Sequence, residues 1–272
     1  MSLLTARGVN VVYEPARGER VWAVREVDLA LEQGEFVGIV GESGSGKTTL
    51  GYALSGMLRP PARLDGGVVS FDGVDLATLT GEKLRRLRRG GVALVLQSGM
   101  NALNPVRSVE QHFRDVLRAH AKPGERVTKE AVRERGVSLL DSVRLTPDVL
   151  SKFPHELSGG MRQRVSIALV LSLEPRLIVF DEPTTALDVI VQQAVMQTIR
   201  DLQRERNFTA ILISHDLGVV LEATERVMVM YEGRIVADQP SKGLVAGARQ
   251  HPYTKALLGA YADLYEVGAA HE

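Results

Sequence analysis

The sequence predicts an α/β protein in which buried parallel strands alternate with helices. The first observation is a set of short, nearly continuous apolar runs, at residues 36–40, 177–180, 211–213 and 227–230. Strands that are apolar along their whole length suit a parallel sheet covered on both faces. The second observation is the helical spacing between these runs, clearest at 188–206, where one stripe carries Val191, Val195, Ile199 and Leu202. Strands and helices in alternation define the α/β class.

The remaining elements follow from local patterns. Residues 68–71 have the length and glycine-containing flanks of a hairpin strand, and residues 49–58 have helical spacing. Residues 82–89 form the one run of charges; because its leucines are three apart, we interpret it as a surface helix rather than a nucleic-acid patch. Between residues 98 and 157 the strand patterns disappear, which predicts a helical insertion. A last helix is predicted at 254–265.

Composition limits the chemistry. The chain has 272 residues, and its 33 basic and 33 acidic side chains cancel, which argues against a protein that binds nucleic acid through a basic surface. It contains no cysteine, which excludes disulfides, zinc fingers and iron–sulfur clusters within these residues. No apolar stretch reaches the length of about 20 residues that spans a membrane, and the N-terminus lacks a secretory pattern. We therefore expect a cytoplasmic protein.

A phosphate-binding loop follows the first buried strand. The pattern G-x-x-x-x-G-K-[ST] is matched by Gly41, Glu42, Ser43, Gly44, Ser45, Gly46, Lys47 and Thr48. Glycines allow successive backbone N–H groups to point inward, and the following helix N-terminus attracts anions. We expect Lys47 to reach the β- and γ-phosphates of a nucleotide and Thr48 to ligate Mg²⁺. A Gly/Ser-rich surface loop is the alternative, which the strand and helix on either side disfavour.

Two carboxylates follow another buried strand. Asp181 and Glu182 end the run that begins at residue 177. In an open α/β sheet ligands lie outside the carboxyl ends of the strands, so Asp181 is expected near the phosphates, where it can hold Mg²⁺. Glu182 is a candidate for orienting or deprotonating the attacking water. Taken alone, both residues could equally cap the next helix.

One motif carries a family resemblance. Residues 157–164, Leu-Ser-Gly-Gly-Met-Arg-Gln-Arg, resemble the signature motif of the ABC ATPases and lie upstream of Asp181, as in that family. The similarity runs from about residue 3 to residue 265. It implies further site residues: Gln97 resembles the Q-loop glutamine, residues 186–188 the D-loop, His215 the switch histidine, and Tyr13 the aromatic residue that stacks on adenine.

The resemblance implies a role for each of these residues. The implied catalytic residues are Lys47, Glu182, His215 and Gln97. Beside the phosphate loop, the implied nucleotide-binding residues are Tyr13, Thr49, Ser158, Gly159, Gly160 and Asp188. The implied Mg²⁺ ligands are Thr48, Gln97 and Asp181. ATP and Mg²⁺ are the implied ligands.

The resemblance also implies the architecture of a P-loop ATPase cassette. Such a cassette joins an antiparallel β subdomain, a RecA-like core and an inserted α-helical subdomain. On this sequence the whole chain, 1–272, is then one domain: residues 1–97 and 165–240 form the β subdomain and the core, and 98–164 the helical subdomain with the signature motif. Residues 241–272 are a C-terminal extension.

The family's geometry implies a partner subunit. Ser158 and the following glycines open a helix, which makes a second anion-binding N-terminus in one chain. In the family this motif faces the P-loop of another subunit, so that two ATP molecules lie between head-to-tail ATPase subunits. ATP binding is then expected to close the dimer and hydrolysis to reopen it.

Details narrow the group. Residues 153–164, 101–105 and the His-Pro-Tyr-Thr-Lys-Ala-Leu-Leu stretch at 251–258 resemble ATPases of the oligopeptide, dipeptide and nickel importers. Many members continue into a cysteine-bearing C-terminal stretch, which these residues lack. The resemblance implies two transmembrane permease subunits, an extracytoplasmic solute-binding protein, and a peripheral place on the cytoplasmic face of the inner membrane. The alternative is a soluble ABC ATPase of an enzyme assembly, such as carbon–phosphorus lyase. The sequence leaves open the solute and whether the ATPase partner is identical; the resemblance favours a heterodimer.

Overall fold

A computed structural model describes residues 2–16, 18–96, 103–122, 124–185, 187–246 and 251–269, the side chains of 245–246 and 264–269 excepted. The chain divides into two compact units, Met1–Leu79 with Thr209–Glu272, and Thr80–Phe208. The described strands are β1 (Ser2–Tyr13), β2 (Val21–Glu32), β3 (Phe36–Val40), β4 (Ala62–Phe71), β5 (Val74–Asp75), β6 (Val92–Val95), β7 (Leu177–Asp181), β8 (Thr209–Ser214), β9 (Arg226–Tyr231) and β10 (Arg234–Pro240).

The α-helices of the described residues are numbered in the same way. They are α1 (Lys47–Leu54), α2 (Gly81–Gly90), α3 (Val109–His120), α4 (Lys129–Ser142), α5 (Gly159–Leu171), α6 (Val189–Arg206), α7 (Leu217–Ala223), α8 (Ser241–Ala246) and α9 (Pro252–Ala269). No helix in the described ranges combines the length and the apolar character needed to span a membrane.

The first unit contains an antiparallel sheet with the strand order β2-β1-β4-β5. Strands β1 and β2 are each 12 residues long. Strand β4 turns into β5 through Asp72 and Gly73, both with positive φ (52° and 76°). This two-residue turn matches the twist of the strands it joins.

The sequence predicts a strand at 68–71 with Gly66 and Gly67 outside it, and this boundary is wrong. Strand β4 starts at Ala62 and continues through both glycines. The pairing with β1 is irregular there, and a Cβ on Gly67 would lie 2.3 Å from the carbonyl oxygen of Gly8. Gly67 therefore allows two backbones to approach closely inside a sheet, a use of glycine that looks the same as a turn in the sequence.

The parallel strands of the first unit confirm the predicted buried runs. Strand β3 pairs in parallel with β8 on one side and β9 on the other, and β10 pairs antiparallel with β9. Every residue of β3 and β8 is buried. Helix α7 lies so close to β3 that a Cβ on Gly38 would meet Cγ1 of Val220 at 2.0 Å.

In its described residues, the second unit holds the parallel strand pair β6 and β7 and the helices α2 to α6. The region predicted to be helical contains α3, α4 and two short 3₁₀ turns, Pro147–Ser151 and Pro154–Glu156. Helix α3 begins with a capping box in which Ser108 and Gln111 satisfy each other's backbone N–H groups. The charged run lies on α2, which has no buried residue, as expected for a surface helix.

Two predicted helices have different ends in the structure. Helix α1 stops at Leu54 rather than at residue 58, because Gly56 adopts the left-handed conformation (φ 64°) and turns the chain. Helix α9 begins at Pro252, before the predicted start, since proline suits the first turn of a helix.

We expect Gly38→Ala to lower the free energy of unfolding by about 1–3 kcal/mol, because the added methyl group overpacks the contact with Val220. Urea unfolding measures this change. The matched control is Gly259→Ala on α9, where an added Cβ meets nothing within 4 Å and alanine favours the helix. Val220→Ala should lower the free energy of unfolding less in the Gly38→Ala background than in the wild type, because the smaller side chain leaves room for the added methyl group. Equal stability of Gly38→Ala and Gly259→Ala would contradict the close contact.

Candidate nucleotide-binding site

The phosphate loop is enclosed by the backbone of two strands of its own unit. A Cβ on Gly41 would lie 2.1 Å from the carbonyl oxygen of Met230, and a Cβ on Gly46 would lie 2.1 Å from that of Ala23. Gly46 also has a φ of 101°, in the region that favours glycine. The first and last glycines of the motif are thus required by the space around them.

Lys47 is folded back into this loop. The residue is only 5% exposed, and its Nζ donates to the carbonyl oxygens of Gly41 (2.8 Å) and Glu42 (2.7 Å). Burial of an ammonium group is costly unless oxygen atoms surround it. The loop supplies those oxygens here, and phosphate oxygens could replace them.

The start of α1 completes the loop. Gly46 occupies the N-cap position, and no side chain caps the helix. An N-terminus of this kind attracts anions through its backbone N–H groups. Thr48, in the first turn, is exposed, while Thr49 is buried and its Oγ1 lies 3.1 Å from Oη of Tyr13. The structure therefore brings Tyr13 to the helix that follows the phosphate loop.

His215 follows strand β8 at the same edge of the sheet at which the phosphate loop follows β3. The last residue of β3, Val40, is aligned with the last residue of β8, Ser214. Gly41 and His215 are the next residues of the two parallel strands, and the His215 side chain is exposed. The predicted switch histidine and the loop thus share one edge of the first unit.

In the second unit, the two carboxylates lie at the end of β7. Asp181 is the last residue of the strand and is 3% exposed. Glu182 has a left-handed backbone (φ 47°), and its Oε2 accepts a hydrogen bond from Oγ1 of Thr185 at 2.7 Å. A non-glycine residue in this conformation stores strain, which is common at functional sites.

The signature motif and Asp188 are brought together on neighbouring helices. Ser158 caps α5 by accepting from N–H of Met161 (3.3 Å), and Asp188 caps α6 by accepting from N–H of Val191 (2.9 Å). A Cβ on Gly160 would come within 2.4 Å of Cγ1 of Val191. The second glycine of the motif therefore lets the start of α5 pack against the start of α6.

The predicted residues divide between the units. Tyr13, the phosphate loop and His215 belong to the first, and Asp181, Glu182, the signature motif and Asp188 to the second. Gln97 lies outside the described residues, as do Ala186 of the predicted D-loop and the first two residues of 101–105. The donors expected for Mg²⁺ on Thr48 and Asp181 are oxygen atoms, which suit this ion.

The sequence did not indicate two further contacts of the loop. The N–H of Gly233, in the β9–β10 turn, donates to the carbonyl oxygen of Ser45 at 3.0 Å. The N–H of Glu42 donates to Oη of Tyr253 on α9 at 2.7 Å, and burial raises the pKa of this tyrosine. Tyr253 appears in the sequence only as part of the 251–258 stretch, and no spacing relates it to residue 42.

The fold and the phosphate loop define an ATPase cassette, and comparison with known proteins identifies the family. The sequence model described as "ABC transporter" matches residues 24–185. The chain therefore belongs to the ABC transporter family. Over 95% of its length it is 41% identical to the glutathione import ATP-binding protein GsiA of Pectobacterium atrosepticum, of which it covers 42%.

Two further relatives are covered more fully. The chain is 39% identical to the oligopeptide transport ATP-binding protein OppD of Bacillus subtilis, with 98% of this chain and 74% of that protein aligned. It is 40% identical to the dipeptide transport ATP-binding protein DppD of Haemophilus influenzae, over 90% of this chain and 73% of that protein. The chain thus spans less than half of GsiA and about three quarters of the other two.

Solved structures agree with the predicted fold class. A dimeric structure of the ATP-binding cassette MJ0796, in a post-hydrolysis state bound to ADP and Pi, matches with a TM-score of 0.76 at 27% identity, covering 88% of this chain and 98% of that one. A structure of cbiO1 from Clostridium perfringens also matches with a TM-score of 0.76, covering 90% and 91%. The fold is that of an ABC ATPase cassette.

Proposed function

We propose that this chain is the ATP-hydrolysing subunit of an importer for peptides or a similar solute. The observation that carries the proposal is the buried Lys47 inside a loop whose first and last glycines have no room for a side chain against the surrounding backbone. This arrangement supplies a positive charge and N–H groups around a space suited to phosphates. The similarity to OppD, DppD and GsiA supports the proposal that ATP hydrolysis by this chain drives import.

Each residue of the phosphate loop has a role in this proposal. Lys47 exchanges the carbonyl oxygens of Gly41 and Glu42 for the β- and γ-phosphate oxygens. The N–H groups from Ser43 to Thr49 line the phosphates, and Tyr13 stacks on adenine. Thr48, Asp181 and Gln97 are the proposed Mg²⁺ ligands. When bound, Mg²⁺ neutralises phosphate charge.

Hydrolysis in this proposal depends on three polar side chains. Glu182 orients the attacking water and accepts its proton, and its position directly after Asp181 supports this role. His215 and Gln97 contact the γ-phosphate and the attacking water, so that their positions depend on whether the γ-phosphate is present. The exposed His215 at the edge where the phosphate loop leaves the sheet supports its part.

The second half of each ATP site comes from a partner ATPase subunit in head-to-tail arrangement. Ser158, Gly159 and Gly160 then bind the γ-phosphate held by the partner's loop, and Asp188 lies at the interface. Two large apolar side chains next to Asp188, Val189 (70% exposed) and Ile190 (80% exposed), support a protein contact at this point. The dimeric form of the MJ0796 cassette also supports this arrangement.

The proposal includes the organisation of the chain and its place in the cell. Residues 98–164 form the helical subdomain that docks two transmembrane permeases, residues 1–97 and 165–240 form the β subdomain and core, and 241–272 form the extension. Exposed Val106 and Phe153 support a docking surface in the second unit.

The protein then lies at the cytoplasmic face of the inner membrane, and a solute-binding protein outside delivers the cargo. The soluble enzyme assembly is not favoured, because the relatives described above are import or transport proteins.

Isolation of the tagged chain in mild detergent tests the importer. We expect two proteins with several membrane-spanning segments to co-purify with it, and to be lost when Phe153 and Val106 are both replaced by Asp. A variant with Asp at the exposed Val74, on the other unit, is the control and should keep the permeases. Recovery of a complex made only of soluble proteins would contradict the importer and support the enzyme assembly.

Two substitutions separate binding from hydrolysis. Lys47→Ala should weaken ATP binding by about 10- to 100-fold, because it removes a charged donor to the phosphates. Glu182→Gln should leave ATP binding intact and reduce kcat by about 10²- to 10⁴-fold, since an amide cannot accept the proton. Equilibrium binding of a fluorescent ATP analogue and phosphate release provide the two measurements. Normal turnover by Glu182→Gln would remove this residue from the role of base.

Complementation between two inactive variants tests the head-to-tail site. Ser158→Asp keeps a good N-cap for α5 but opposes the γ-phosphate with negative charge, and Lys47→Ala damages the loop. We expect each variant alone to be inactive and an equal mixture to recover part of the ATPase activity, because mixed pairs contain one intact site. Cross-linking confirms that the copies pair. Paired copies without any recovery would show that Ser158 acts on its own subunit's loop.

A further inference from the structure

The C-terminal helix α9 contacts the phosphate loop through a hydrogen bond. The hydroxyl of Tyr253 accepts from the N–H of Glu42 at 2.7 Å. The carbonyl of the same peptide group, that of Gly41, accepts from Nζ of Lys47 at 2.8 Å. One peptide plane at the start of the loop is therefore held from both sides, by the lysine inside the loop and by the tyrosine outside it.

Tyr253 is itself held in place by its surroundings. Its ring stacks on Tyr231, with 4.4 Å between the ring centroids and 25° between the planes. Tyr231 ends β9, the strand that runs beside β3 and whose Met230 carbonyl faces Gly41. The next residue of α9, Thr254, is completely buried. The hydroxyl thus projects from a fixed ring rather than from a mobile tail.

We propose that Tyr253 is a positioning residue of the ATP site, which holds the Gly41–Glu42 peptide in one orientation and so keeps the start of the phosphate loop ordered. The inference rests on the proposed function, since it assigns a further residue to the same site.

The direction of the effect follows from the order of the loop. A loop that is already in its binding geometry loses less conformational freedom when the ligand binds. Without the tyrosine hydroxyl, the Glu42 N–H turns to water and the peptide gains freedom, so part of the binding energy must restore its orientation. The affinity for ATP falls, whereas the rate at saturating ATP changes little, because Glu182 and His215 are untouched.

The test compares Tyr253→Phe with Tyr261→Phe in the full chain. The first keeps the stacked ring and removes only the hydroxyl, and the second makes the same change further along α9. For Tyr253→Phe we expect the dissociation constant of a fluorescent ATP analogue, and the KM for ATP, to rise about 2- to 10-fold with kcat and Tm as in the wild type. Tyr261→Phe should match the wild type in both affinity and KM.

Hydrogen exchange of the Glu42 amide provides a second measurement. This amide should exchange faster in Tyr253→Phe and at the wild-type rate in Tyr261→Phe. Wild-type ATP affinity in Tyr253→Phe, with or without faster exchange, would overturn the positioning role. So would equal losses in the two variants with a lowered Tm, which indicate a structural effect of α9.

Lys47→Ala separates failure of this inference from failure of the proposed function. Loss of ATP binding in Lys47→Ala together with unchanged binding in Tyr253→Phe would leave the ATP site in place and remove only the role of Tyr253. If the wild-type chain itself does not bind the ATP analogue, both the proposed function and the positioning role are wrong.

Discussion

The packing of the phosphate loop against backbone carbonyls is the constraint on which the first unit depends. The oxygens of Ala23 and Met230 leave room only for hydrogen at Gly46 and Gly41. The loop therefore keeps one shape while it encloses the buried ammonium group of Lys47. Strands β2 and β9, which carry the two carbonyls, come from distant parts of the chain, so the site requires the complete unit rather than a local motif.

In the second unit, the N-termini of two helices lie side by side. Ser158 and Asp188 each cap a helix, and Gly160 allows the starts of those helices to touch. A cap satisfies backbone N–H groups that a phosphate could also bind. Ser158 and Asp188 thus act as helix caps within their own chain, and this local role coexists with the proposed role toward a partner's ATP.

Some patterns were ambiguous at the level of sequence for a physical reason. Asp72-Gly73 and Gly66-Gly67 look alike as turn signals, yet the first joins two strands and the second lies inside one. Glycine serves both uses, because it permits positive φ and also close approach of backbones, and only the neighbouring strand decides between them. Two helix ends also differ from the prediction. Helix α1 ends earlier because of the left-handed conformation of Gly56, and α9 begins earlier because Pro252 suits a helix start.

The sequence by itself determined the class of fold, the phosphate loop and the family, because these depend on short-range patterns: apolar runs, fixed spacing and residue types that chemistry requires. Residues such as Asp181, Ser158 and His215 could be proposed as site residues because a strand end or helix start lies beside them in the chain. Only the tertiary structure decided what surrounds the loop. The contact between Glu42 and Tyr253 joins residues 211 positions apart, and such a pairing arises from the packing of α9 beside β9, which no local periodicity encodes.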